Sequence, residues 1–226
     1  MSTAHETFKA LCVLCIQGAM LAMVGFALRP MVRNPRYRIV VRGLRGRHFG
    51  KALLIVFQTL VIGGLLIFLV PGMDIGWLSL LGATGNVAVA SPKDASTAST
   101  PSLVLPLAMV VLVIVVSPIA AFREERSFRR GTERQAPTHR FFRQLQFGLA
   151  HLIMGIPLGA ALALGVTGSM FMREYRRAFN HRSSRLDAIL ESARTHLAYN
   201  IVLLTLVAVG ASIVLIGHLS AAGSPA

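Results

Sequence analysis

The chain has 226 residues, 54% of them hydrophobic and only 14% charged, with a mean hydropathy of +0.63, whereas a soluble domain of this size carries about 25% charged residues. Too little polar surface remains to wrap such a chain in water, which excludes a secreted globular domain, a soluble nucleic-acid binder and a disordered tail and leaves an integral membrane protein. The net charge of +14 does not reverse this, because 21 of the 23 Lys and Arg fall in three segments, 29–51, 123–143 and 173–195. Basic segments alternating with apolar runs are the positive-inside pattern of a multi-pass protein. They predict cytoplasmic loops that attract anionic lipids, with no nucleic acid among the partners.

The first apolar run, Phe8–Leu28, ends in Arg29-Pro30 with no small-residue cleavage site, so it reads as a retained span. Its Cys12 and Cys15 read as two membrane thiols and not as a redox motif. The second span covers about 52–71 and ends at Pro71-Gly72. Residues 72–102 begin apolar, with Trp77 as an interfacial anchor, and turn into a flexible Ser/Thr/Ala-rich loop. The third span, about 103–122, carries Pro118 near its end, a position that favours a kink.

The stretch 144–172 decides the topology. Counted as one span, it puts 173–195 across the membrane from the other basic segments. Broken at Gly155-Ile156-Pro157, it gives two helices, one from near Arg140 to Gly155 and one from Pro157 to about Ala178, and brings all three basic segments to one side. The charge bias selects the break. With a last span at about 196–219, the expected architecture is an all-α polytopic bundle of about six membrane helices in the cytoplasmic membrane, both termini outside. Residues 1–102 supply two N-terminal helices and an extracytoplasmic loop, and 103–226 the functional core.

Ionisable groups near apolar helices are costly and usually have a task. Glu124-Glu125-Arg126-Ser127-Phe128-Arg129 follows the third span. If the helix continues, Glu125 and Arg129 pair at i,i+4, while Glu124 points about 100° away. The other candidates are His151, four residues after Phe147, and His196, four before Asn200 and on the same helix face. Each alone reads more simply as a solvated helix end, a buried histidine or a helix–helix contact. On the six-helix arrangement, however, all of them fall in one leaflet, where a carboxylate, two imidazoles and an amide line one cavity. A transporter or channel subunit would put charges or broken helices near mid-membrane in several spans, and the first two spans offer only Gln17 and Gln58.

The ordered series EERSFR, FGLAH and HLAYN resembles the EExxxR, FxxxH and HxxxN motifs of the CAAX protease and bacteriocin-processing family, which includes the type II CAAX prenyl endopeptidase. The resemblance covers about residues 103–205. It implies an intramembrane glutamate-type endopeptidase with a conical cavity open to the cytoplasmic leaflet. Glu124 would activate a water, and His151 would hold that water or orient Glu124. His196 and Asn200 would stabilise the oxyanion, while Glu125, Arg129 and Phe147 support the site. It implies no cofactor. Zinc is the alternative, since two His and a carboxylate can bind it, although HExxH spacing is absent. The implied substrate is a membrane-embedded peptide or protein segment, such as a C-terminal sorting signal or a leader peptide. A non-catalytic scaffold or bacteriocin-immunity protein is the other reading of the resemblance. One departure is plain: the family approaches its third motif through a short turn and an apolar run, and here 173–195 is long, polar and Arg-rich.

Overall fold

The computed structural model describes residues 3–77, 83–84, 91–92 and 100–222. Apart from a two-residue strand pair, Ala83–Thr84 with Ser91–Pro92, the described regular structure is helical. The helices are α1 (Thr3–Arg33), α2 (Pro35–Arg42), α3 (Gly46–Leu69), α4 (Thr100–Arg129), α5 (Pro137–Ala150), α6 (Leu158–Arg182) and α7 (Arg185–Ala222). Three segments are long and apolar enough to cross a membrane: Gly46–Leu69, Val104–Arg134 and Arg185–Ser220. This is an α-helical membrane protein. Within α1 the apolar run Leu11–Phe26 is shorter. The expected Ser/Thr/Ala-rich loop lies mostly outside the described residues.

The chain breaks between α5 and α6 where glycine and proline stand together. After α5 a 3-10 turn, His151–Met154, ends at Gly155, whose φ of 80° is a left-handed backbone that a side chain resists. Pro157 precedes α6, and the first free amides of α6 are satisfied by a neighbouring loop: Leu158 N donates to Ile75 O and Gly159 N to Met73 O. Trp77, expected only as an interfacial anchor, donates its indole N–H to the carbonyls of Leu152 and Ile153. One loop, residues 73–77, therefore holds the chain both before and after the break.

The condition for pairing Glu125 with Arg129 is met: helix α4 continues past residue 122, running through Pro106 and Pro118 to Arg129, so Glu124 and Glu125 are helical. One expectation needs correction: the basic segment 173–195 is not a loop. It is the last turns of α6 and the first turns of α7, joined at Ser183 with φ 54°. His196 therefore lies about three turns inside α7. The cause is an apolar stripe hidden by the charge. Ala188, Ile189, Ala193 and Leu197 are buried against Phe122, Met172 and Tyr175. Three of its arginines meet carboxylates: Arg185 pairs with Glu133, Arg177 with Glu174, and Arg194 joins Arg47 and His48 around Glu191. Tyr175 also donates to Glu133.

Helix α7 is the central element. Its first half packs between α3, α4 and α6, whereas its second half exposes Leu206, Val209, Ile213, Val214 and Ile216. A second core joins Ala52, Ile55 and Val56 of α3 to Phe147, Phe171, Ala198 and Tyr199. The α5–α6 contact rests on small residues. A Cβ on Gly148 would sit 2.2 Å from the Ala161 carbonyl oxygen and 2.5 Å from the Gly165 nitrogen. Only glycine lets the two backbones meet there, and this close seat fixes the height of Phe147 and His151.

Candidate active site

Three helices bring Glu124, His151 and His196 together near the C-terminal end of α4. Glu124 projects from α4 with its side chain 34% exposed, yet its Oε2 atom is buried and has no hydrogen-bond partner. Two imidazoles face that oxygen. His151 Nε2 lies 3.9 Å away and His196 Nε2 lies 3.7 Å away. Both distances exceed a direct hydrogen bond and suit groups that share a small molecule between them.

The other ring nitrogen decides what each Nε2 can do. His151 caps α5 and directs Nδ1 at the Phe147 carbonyl oxygen, 2.8 Å away. A carbonyl only accepts, so Nδ1 carries the proton and the neutral ring presents Nε2 as an acceptor. His196 directs Nδ1 at Glu125 Oε1, 3.0 Å away. The carboxylate likewise fixes the proton on Nδ1 and turns Nε2 toward Glu124. Any hydrogen bond donated from His196 Nε2 then requires a ring protonated on both nitrogens.

Glu125 has no exposed surface. Its Oε2 accepts from Ser192 Oγ at 2.5 Å and forms an ion pair with Arg129, whose Nε lies 3.2 Å away. The pairing of Glu125 with Arg129 is present at i,i+4, but its reach is wider than a helix brace, because the same carboxylate orients His196. The Arg129 guanidinium is itself fully buried and lies over the Phe147 ring, 4.7 Å from its centroid. Phe147 stands at the centre of the site. Its ring meets Phe128, His151, Phe171 and His196 edge-on. His196 is in turn stacked on Phe171, with centroids 4.4 Å apart. Such packing leaves the imidazole little rotational freedom.

Asn200 lies one turn beyond His196 on α7 and is half-buried. Two contributors escaped the sequence reading. Ser192, one turn before His196, donates to Glu125 and also lies 2.9 Å from the Phe171 carbonyl oxygen. Phe171 supplies the stacking platform from α6. The i,i+4 rule that paired His196 with Asn200 would also find Ser192, but only on a helix that continues ahead of His196, and that segment reads as a loop. Nothing in the sequence marks Phe171. No protein-family model, curated protein or solved structure matches the chain.

The two glutamates should part company in stability. Glu125→Gln leaves the Arg129 charge buried without its counter-ion and is expected to cost about 3–5 kcal/mol. Glu124→Gln removes only longer contacts at a partly exposed position and is expected to cost less than about 1 kcal/mol. Unfolding of the purified variants in detergent measures both, and equal losses would contradict the division of roles.

Proposed function

We propose that the protein is an intramembrane endopeptidase that hydrolyses a peptide bond in a membrane-associated substrate, using a water activated by Glu124. The observation that carries this reading is the convergence of His151 and His196 on one buried, unpaired carboxylate oxygen, with each ring held by a partner on its far nitrogen. The order of the three motifs and their resemblance to the CAAX protease and bacteriocin-processing family support it.

The chemistry runs as follows. A water within about 2.8 Å of Glu124 and His151 Nε2 donates its protons to those two acceptors. Glu124 takes one proton as the oxygen attacks the scissile carbonyl. The carbonyl oxygen becomes an oxyanion, which accepts from the Asn200 amide and from doubly protonated His196. Glu124 then returns its proton to the leaving nitrogen, and the products are a new carboxyl terminus and a free amine. Glu125, Arg129 and Phe147 hold the donors in place. Substrates of this site are membrane-embedded C-terminal signals or leader peptides, and no bound cofactor takes part.

The topology we propose has six crossings in the cytoplasmic membrane, with 29–51, 123–143 and 173–195 on the inner side and the catalytic cavity open to that leaflet. Single cysteines at positions 38 and 185 should both be labelled from the cytoplasmic side only. Labelling from opposite sides would refute the arrangement.

The catalytic reading is tested by comparing the C-termini of membrane proteins from cells carrying the wild type, Glu124→Gln, or no protein. The expected result is a set of processed C-termini present with the wild type and lost in both other strains, with the Glu124→Gln protein at normal level in the membrane. Processing that persists with Glu124→Gln would overturn the assignment.

A further inference from the structure

We infer that Gln144 is a positioning residue of this site, acting on His196 through Arg129 and Glu125. The inference rests on the protease reading only for its effect on turnover. Gln144 lies on α5, three residues before Phe147, and is 4% exposed. Its Nε2 donates to the Arg140 carbonyl oxygen at 3.1 Å. That bond sets the amide orientation, since a carbonyl needs the nitrogen, and it turns Oε1 the other way as an acceptor. Oε1 is buried with no hydrogen-bond partner.

The complementary group is close by. Arg129 Nη1 and Nη2 are buried donors that likewise have no hydrogen-bond partner. Both groups border Gly168 of α6. A Cβ at Gly168 would lie 2.9 Å from Gln144 Oε1 and 3.4 Å from Arg129 Nη2. The missing side chain leaves a small gap between α4, α5 and α6, with a buried donor and a buried acceptor on its edges. Buried donors left without a hydrogen bond are costly even on an ion-paired group, and Gln144 is the group placed to relieve those of Arg129, directly or through one bridging water. The result is a chain from Gln144 to Arg129, Glu125 and His196, in which each member holds the next. Anchored at Gln144, the guanidinium stays on Glu125, and Glu125 stays on His196 Nδ1.

The test uses the full chain in nanodiscs with ¹⁵N-labelled histidine, read by NMR at about pH 8, where ordinary imidazoles are neutral. Two variants attack the chain by unrelated means. Gln144→Met keeps the size and removes the acceptor; Gly168→Ala puts a Cβ between the two groups but also 2.9 Å from Phe147 Cδ1, so a change confined to Gly168→Ala would contradict the inference and only one shared with Gln144→Met supports it. His196 should be protonated on Nδ1 in the wild type and become a mixture of tautomers in both variants. His48 is the internal control. It accepts from the Arg45 amide at Nδ1, so its proton is on Nε2, and it should not change. On a substrate found by C-terminal comparison, both variants should lower kcat about tenfold with KM unchanged, the low end of the cost of removing a group that orients a functional histidine. A His196 tautomer identical to wild type in both variants would overturn the inference, as would a change in His48 equal to that in His196. A wild type that turns over no peptide would refute the protease reading and leave the tautomer result standing.

Discussion

Glu125 is a carboxylate with no exposure to water in a helix of membrane-spanning length, and the site is arranged around the need to compensate it. Such a charge costs several kcal/mol unless it is paired and hydrogen-bonded. Here α4 supplies Arg129, and α7 supplies Ser192 and His196. Satisfying one carboxylate therefore locks two helices in register and sets the tautomer of the imidazole that faces Glu124. The adjacent glutamate keeps a buried Oε2 with no hydrogen bond. Two neighbouring residues of one type are separated into a holder and a worker by the 100° between them on the helix.

The packing around this pair is aromatic and tight. Phe147 bears on the Arg129 guanidinium and on both imidazoles, and Phe171 stacks on His196. Buried arginine over a ring gains a cation–π contact that is stronger away from water. The seat of α5 on α6, which sets the height of Phe147 and His151, depends on Gly148 having no side chain. The distances between the reactive groups thus trace back to backbone contacts remote from the chemistry.

Much of this was legible in the residues. Gly155 and Pro157 announce a helix break through their backbone preferences, and the break is there. The pairing of Glu125 with Arg129 follows from i,i+4 spacing. The segment 173–195 was not legible, because its arginines outweigh an apolar stripe of Ala188, Ile189, Ala193 and Leu197 whose partners lie on other helices. That misreading placed His196 at a helix start and hid Ser192. The contact of Glu125 with His196 joins residues 71 positions apart, and no local pattern carries it. No local pattern showed that Trp77 also donates to the carbonyls of Leu152 and Ile153, which are free only where the helix breaks.

The central claim is that Glu124 acts on water directly, flanked by two imidazoles. The same three groups are of the chemical types that bind zinc in hydrolases, so one measurement separates the accounts. Purified protein in nanodiscs is stripped with a strong chelator and assayed on a substrate identified by C-terminal comparison, before and after adding Zn²⁺. The account predicts full activity after stripping and no gain from zinc. Activity lost on stripping and restored by zinc would contradict it and make Glu124, His151 and His196 ligands.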